Sequence, residues 1–373
     1  MKIAIVVTYV SADGAFGGPV AVAVNQAAEL ARRGHVVDLY AGWDGIVEFQ
    51  VPGVRVRLFR ARRLPGLGFA GRHSWAMRRT LHKDLPDYEI VHIHLARDLI
   101  TLPAGLLARK SRIRYFAQPH GMIVKDARLS VRFIDALFTK RVLRGAESVL
   151  TLTDDEAASI TMVAGPNIAA THIDNGAPPF QLPAVGRLRA SPPEILFLAR
   201  LHPRKRVLAF AEMAKQLFLS DVEAKFTVIG PDEGDLPALR GFIARNGLAE
   251  VLQYSGTVEP GVAVTRLARA TAFVLPSEGE VFPMTVLEAL QAGTPVVTTE
   301  SNGLATLLRS HNAAVVTDGS PGELARAVRE ILGSVDRQNE LIDNAHKLLR
   351  SKLGISAVVD ELEQWYRHGE VDG

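Results

Sequence analysis

Two trains of short, continuously apolar, β-rich runs, separated by stretches of helical periodicity, constrain this chain more than any other feature. The first train reads KIAIVVT, HVVDLYAG, VRVRLF, EIVHIH, RYFAQ and SVLTLT, with helical segments such as PVAVAVNQAAELARR and VRFIDALFTKRVLRG between them. The second reads EILFLAR, KFTVIG, VLQYSG, TAFVLPS, PVVTT and NAAVVT. Strands apolar on both faces must be covered on both faces, and intervening helices let neighbouring strands run parallel. Each train therefore predicts a doubly wound parallel α/β sheet. Between them, PPFQLPAVGRLRASPPE is dense in proline and carries no sustained periodicity, which places a boundary between domains at residues 1–188 and 189–354. The closing stretch, residues 355–373, contains the amphipathic ISAVVDELEQWYRHG and is expected to form a helix and tail that crosses back to the N-terminal domain. Gly34, between the first helix and second strand, is expected as a left-handed C-cap.

A length of 373 residues suits two ordinary domains, and 47% hydrophobic with 22% charged residues excludes a disordered polymer. The absence of cysteine excludes disulfides and thiolate metal sites and points to a reducing, cytoplasmic location. MKIAIVVTYV reads as a buried first strand rather than a signal sequence, and no run reaches the roughly 18 apolar residues of a membrane span. The net charge of +3 hides an asymmetry: residues 1–188 hold 24 Lys/Arg against 16 Asp/Glu, and the remainder 19 against 24. Residues 55–83, with Arg55 and Lys83 at their ends, hold nine Lys/Arg and no acid, interleaved with Leu58, Phe59, Leu64, Leu67, Phe69 and Trp75. That mixture is expected to meet an anionic membrane surface, as a peripheral contact at the inner face.

The most specific segment is LPSEGEVFPMTVLEALQAGTPVVTT. A strand ends at Ser277, a loop carries Glu278, Glu280 and Pro283, and a helix starts near Met284. Loops at the carboxyl edge of a parallel sheet line its ligand crevice, and the free N–H groups of a helix start favour a phosphate. Glu288, on the second helical turn, can point into the same crevice and accept hydrogen bonds from sugar hydroxyls.

This segment resembles the E-x7-E motif of retaining glycosyltransferases of the GT-B fold, especially glycosyltransferase family 4. The remainder agrees in order: Gly17-Gly18 after the first strand, His120-Gly121 after RYFAQP, FLARLHPRKR with Arg200 and Lys205, then VIGPDEG and YSGTV. The resemblance implies two Rossmann-like domains facing each other across a cleft and transfer from a UDP- or GDP-linked sugar to a glycan or lipid-linked acceptor, in cell-envelope assembly. It implies that Glu280 contacts the donor sugar and Glu288 the ribose, with Phe282 and the amides of Met284 and Thr285 bordering sugar and diphosphate. Arg200 and Lys205 would neutralise the diphosphate, whose charge grows as it leaves. Gly17 and Gly18 would let backbone approach the phosphates, and His120 with Gly121 would hold the donor sugar. Asn175-Gly176 fits the family's turn before the linker. Two departures stand out: Pro283, read here at the first helical position, brings no N–H, and Arg206 follows the lysine where a glycine is common.

No metal cofactor is expected. His92 and His94 share a strand face but lack a third ligand, and Asp154-Asp155-Glu156 after Thr153 reads as a helix cap rather than a D-x-D metal motif. A dinucleotide oxidoreductase would need G-x-G-x-x-G after its first strand, which is missing. Two other readings stay open: a sugar-nucleotide epimerase, which shares the fold, and a basic nucleic-acid-binding protein, for which no recognised module and no specific nucleic-acid site is present.

Overall fold

The computed structural model describes residues 1–10, 17–46, 49–66, 68, 70–177 and 191–368. The boundary expected at residue 188, the side chains of Leu67 and Phe69, and the last five residues of the tail lie outside these. The chain divides into two units, Met1–Gly176 with Ile355–Gly373, and Ala177–Gly354.

Unit 1 begins β1 (Lys2–Val10), α1 (Gly17–Arg32), β2 (Val36–Trp43), β3 (Arg55–Arg60), then the hairpin β4 (Arg62–Arg63) and β5 (Arg72–His73). It continues α2 (Trp75–Asp84), β6 (Ile90–His94), α3 (Thr101–Lys110), β7 (Tyr115–Gln118), α4 (Leu129–Ile134), α5 (Lys140–Leu143), β8 (Ser148–Thr151), α6 (Asp154–Ala164) and β9 (Ala170–His172). Unit 2 runs β10 (Glu194–Leu198), α7 (Val207–Phe218), β11 (Lys225–Ile229), α8 (Leu236–Arg245), β12 (Leu252–Tyr254), α9 (Pro260–Arg269) and β13 (Ala272–Leu275). It ends with α10 (Met284–Gln291), β14 (Val296–Thr299), α11 (Ala305–Ser310), β15 (Val315–Thr317), α12 (Pro321–Gly333) and α13 (Val335–Leu348). The last helix, α14 (Ile355–His368), belongs to unit 1.

The strand order is β3-β2-β1-β6-β7-β8-β9 in unit 1 and β12-β11-β10-β13-β14-β15 in unit 2, with parallel pairing throughout both sheets. Both orders turn back beside the first strand. This reversal opens a crevice at the carboxyl ends of β1 and β6 in one unit and of β10 and β13 in the other. Alternate residues of each first strand feed opposite cores. Ala4 and Val6 pack with α2, α3, α5 and α6, whereas Ile3, Ile5 and Val7 pack with α1 and α14. In unit 2, Ile195 and Phe197 face α7, α8 and α12, and Leu196 and Leu198 face α9, α10 and α11. Burial on both faces is why these strands read as unbroken apolar runs.

α14 is held by Val358, Val359, Leu362 and Tyr366 in the second core of unit 1, each worth about 1.5–3 kcal/mol when fully buried. Its polar edge adds Arg33 to Asp360 at 2.6 Å and the Tyr366 hydroxyl to His92 Nδ1 at 2.6 Å. Gly176 precedes the passage into unit 2 at φ 77°, where a Cβ would lie 3.0 Å from Ile355 Cα. Only glycine fits there without displacing α14.

Candidate functional site

The crevice of unit 2 is built by two loops that lock onto each other. After β10 the chain makes a tight turn, Pro203–Lys205, which His202 caps by accepting the Arg204 N–H at 3.2 Å. Arg206 follows in the left-handed region at φ 54° and starts α7. The turn aims three cations at the loop after β13. Arg204 donates to the Gly279 carbonyl, and the Glu278 N–H donates to the Arg204 carbonyl at 2.8 Å. Arg206 pairs with the Glu278 carboxylate at 3.3 Å, and Lys205 Nζ reaches Glu280 Oε2 at 2.5 Å. The loop is braced from behind as well. Gly303 N–H donates to the Glu280 carbonyl at 2.8 Å, and Gly279 N–H to Ser301 Oγ at 3.3 Å. Arg200 stands apart, exposed and paired with Glu233 at 2.9 Å. Gly230, in VIGPDEG, lets β11 end against the Arg200 turn: a Cβ there would come within 1.9 Å of the Ala199 carbonyl.

α10 starts at the edge of this crevice. Pro283 at φ −80°, ψ 103° is the N-cap rather than the first helical residue, a correction to the position assigned from sequence. Met284 and Thr285 therefore carry the first helical amides, and neither has an acceptor among the described residues. Phe282 and Met284 rest against the core below, so the entry to the helix is held by packing where no side chain caps it. Glu288 lies one turn further. Its carboxyl has no hydrogen-bond or ion-pair partner among the described residues, and burial pushes it up to about 7. A shielded, unpaired carboxyl and free helix-start amides are groups able to accept hydrogen bonds from hydroxyls and to hold an anion.

In unit 1, Gly17 and Gly18 are the first turn of α1, not a separate loop, and no described residue lies within 4 Å of where a Gly18 Cβ would be. After β7, His120 and Gly121 take successive positive φ values of 53° and 72°, a turn that costs strain at the histidine. Glu156 holds it. One carboxylate oxygen accepts the Gly121 N–H at 2.5 Å and the other the Leu152 N–H at 2.7 Å, while Thr153 caps α6 by accepting the Glu156 N–H at 3.1 Å. The capping role expected of this segment belongs to Thr153. His92, His94 and His120 stack face to face, with ring centroids 4.8 and 5.0 Å apart, and His94 Nδ1 lies 2.7 Å from His120 Nε2. Burial depresses His92 to about 4 and His120 to about 3, so the stack is neutral near pH 7. No group of three His, Asp or Glu among the described residues is arranged to hold a metal ion.

Residues 181–348 match the family described as "Glycosyl transferases group 1", and residues 17–176 match "Glycosyl transferase 4-like domain". The chain belongs to the group 1 glycosyltransferases. A D-inositol 3-phosphate glycosyltransferase of Geodermatophilus obscurus is 26% identical over 86% of this chain and 78% of that protein. Glycogen synthase of Mycobacterium tuberculosis is 29% identical over 51% of this chain and 47% of its own length. Among solved structures, HepE of Anabaena in complex with UDP superposes with a TM-score of 0.72, at 16% identity, over 98% of this chain and 99% of that one.

As a nucleotide-sugar-dependent glycosyltransferase of the GT-B fold, the protein gathers at one crevice Lys205, Glu280, Phe282, Met284, Thr285 and Glu288, all in unit 2. Arg200 lies further out, and Gly17, Gly18, His120 and Gly121 line the edge of the other sheet. Arg206, at the position where a glycine is common in the family, occupies the conformation that glycine favours, and its guanidinium compensates by tying α7 to the loop at Glu278. Three supporting residues escaped the sequence reading: Arg204, Ser301 and Glu156. Arg204 and Ser301 gave no signal in one dimension, because their acceptors lie 75 and 24 residues away. Glu156 gave a misleading one, since the third helical position after a threonine also suits a capping carboxylate.

Proposed function

We propose that this glycosyltransferase moves a hexosyl unit from a UDP- or GDP-linked sugar to a hydroxyl of a glycan or lipid-linked acceptor, with retention at the anomeric carbon and without a metal ion. The observation that carries the reading is the meeting of Lys205, Glu280, the open α10 amides and unpaired Glu288 at one sheet-edge crevice. Glu288 accepts the ribose hydroxyls, Glu280 reads the donor sugar, and Lys205 with the Met284 and Thr285 amides takes up the charge that grows on the diphosphate. Arg200 swings from Glu233 to the same anion. The C1–oxygen bond breaks, the leaving diphosphate oxygen accepts the acceptor proton, and the new bond forms on the same face. Cations and helix amides do the work that a divalent ion does in metal-dependent transferases. HepE, which this chain resembles in fold, was crystallised with UDP-glucose, which puts UDP sugars first in a panel.

A set of UDP and GDP sugars incubated with hydroxyl acceptors in EDTA tests this. Nucleoside diphosphate release and a product with the donor's anomeric configuration, read by proton coupling, are expected. An inverted product removes retention, a rescue only by divalent ions removes metal independence, and an isomerised donor without transfer favours the epimerase.

The acceptor side is proposed to meet an anionic membrane through residues 55–83 as part of envelope polysaccharide or glycolipid assembly at the cytoplasmic face. Three of the nine cations are engaged within the fold, since Arg55 pairs with buried Asp38, Arg57 with Asp84 at 2.6 Å, and Arg72 stacks 3.6 Å over the Tyr9 ring. The rest concentrate on the hairpin and on α2. Trp75 is 70% exposed, with Arg78 5.5 Å from its ring, and both border a groove of about 390 Å³ with Arg79, His82 and Lys110. No helix of the described residues is long and apolar enough to cross a membrane. Sedimentation with vesicles should show binding that rises with anionic lipid and falls with salt. Replacing Arg62, Arg63, Arg78 and Arg79 by Gln is expected to weaken it by up to about 1000-fold, each charge near the surface being worth roughly 1 kcal/mol. A wild-type protein that stays in the supernatant with anionic vesicles at low salt overturns this part.

A further inference from the structure

The turn at His120 is held in two places. Glu156 holds its backbone through the Gly121 N–H, and His94 meets its side chain at 2.7 Å. A histidine at φ 53° is strained, and such a conformation persists only where its surroundings fix it. Whatever fixes the His94 ring therefore belongs to the geometry of the turn.

His92 and His94 are two apart on β6, so both point to one face of the sheet, the face where Ile90 packs with α1 and α14. Their rings and that of His120 stack with only 10° between successive planes. Each of the two inner rings has a single hydrogen bond. The Tyr366 hydroxyl, with no other acceptor among the described residues, donates to His92 Nδ1 at 2.6 Å, and His94 Nδ1 is engaged with His120 Nε2. Nε2 of both rings is buried and has no hydrogen-bond partner among the described residues; Gln118 lies near the His92 ring but outside hydrogen-bond geometry. The plane of His92 thus depends on one polar tether and on stacking.

That tether is rigid. Tyr366 is only 1% exposed, and its ring packs against Phe116 with centroids 5.2 Å apart. Its carbonyl, in the last turn of α14, accepts the Arg114 guanidinium at 2.9 Å, a cation where the helix dipole favours one. Packing of α14 accounts for the burial of the ring but not for the aim of its hydroxyl at the end of the stack.

We infer that Tyr366 is a positioning residue for the transfer reaction: its hydroxyl fixes the plane of His92, stacking passes that plane to His94, and His94 sets the side chain of His120. The inference rests on the transferase reading, in which the family resemblance gives His120 the donor sugar. α14 then serves the His120 turn from the far end of three rings.

Tyr366→Phe removes one oxygen and keeps the ring. Val359→Ala removes two methyl groups from the same core and leaves the hydroxyl in place. Both are compared with the wild type, full length, by thermal midpoint, by kcat with the donor found in the panel, by affinity for its nucleoside diphosphate, and by long-range proton–nitrogen spectra of the imidazole rings. Tyr366→Phe is expected to lower kcat about ten-fold, the cost of a slightly misplaced group, and to shift the ring resonances of His120. Its nucleoside diphosphate affinity should stay within about two-fold, because Lys205 and Glu288 belong to the other unit. Val359→Ala is expected to lower the thermal midpoint at least as far, with kcat near that of the wild type and His120 unshifted. The inference is overturned if Tyr366→Phe keeps the wild-type kcat, if its His120 resonances do not move, or if Val359→Ala loses as much kcat, which would reduce Tyr366 to a packing residue. A wild-type protein that turns over no donor is a failure of the transferase reading instead. The spectra then decide the ring stack alone: a His120 shift confined to Tyr366→Phe supports it, and no shift overturns it.

Discussion

Glu288→Gln is expected to raise the thermal midpoint of the unliganded protein at pH 8 and, at the same time, to weaken nucleoside diphosphate binding about 10- to 100-fold. Both effects have one cause. Burial lifts the carboxyl from its ordinary value of 4.5 to about 7, because no partner among the described residues offsets its desolvation. The folded protein therefore holds a proton between pH 4.5 and 7 that the unfolded chain has released. Stability from this group is fully present below 4.5 and is lost as pH rises to about 7, with a cost on the order of 3 kcal/mol above that. Gln cannot ionise, so its advantage over the wild type should grow across that window and then level off. Binding runs the other way. A ribose diol donating to a carboxylate makes charge-assisted hydrogen bonds of about 1.5–3 kcal/mol, so wild-type affinity should increase with pH through about 7 while that of Gln stays flat. Thermal unfolding from pH 5 to 9, with calorimetric titration of UDP and GDP, measures both. A pH-independent difference in midpoint, or equal affinities at pH 8, would remove Glu288 from the nucleotide site.

Lys205→Met is expected to lower kcat/KM about 100- to 1000-fold, the usual effect of deleting a group that stabilises charge developed only in the transition state. In the unliganded protein Lys205 and Glu280 neutralise each other at 2.5 Å, with side chains only 15% and 20% exposed. Removing either one strands the other as a largely shielded charge, so each single variant should also lose stability, by about 1–3 kcal/mol. The double variant Lys205→Met/Glu280→Gln should regain most of that stability and none of the activity. Glu280→Gln alone should impair turnover and intact-donor binding more than binding of free nucleoside diphosphate, which lacks the sugar. A double variant as unstable as the sum of the singles, or a Lys205→Met enzyme with wild-type kinetics, would show that the pair is an ordinary surface ion pair.

Much of the framework is legible in one dimension because it depends on local periodicity. A strand buried on both faces must be apolar at every position, so the alternation of runs such as KIAIVVT and EILFLAR with helices is enough to predict two parallel sheets. The turn chemistry of the Ser277 to Met284 loop is local too, and it marks the crevice directly. α14 shows the limit: the apolar face of ISAVVDELEQWYRHG requires burial somewhere, but its place is set by Tyr366 against His92 and by Arg33 with Asp360, partners more than 250 residues distant.

Charge is where sequence reading runs out. The nine cations of residues 55–83 have no acid neighbour along the chain, yet Arg55 and Arg57 meet Asp38 and Asp84 once β3 lies beside β2 and α2 packs over them. Lys205 and Glu280 are each recognisable as site residues, but their pairing exists only because β10 and β13 are neighbours in the sheet. The ring stack from Tyr366 to His120 is likewise invisible until α14 packs over β6. Residue type and spacing determined which groups this protein brings to its crevices. Tertiary structure decided which of those groups are already satisfied and which wait for a ligand, because a charge or hydrogen bond is settled by whatever lies within about 3 Å, and that is a property of the fold.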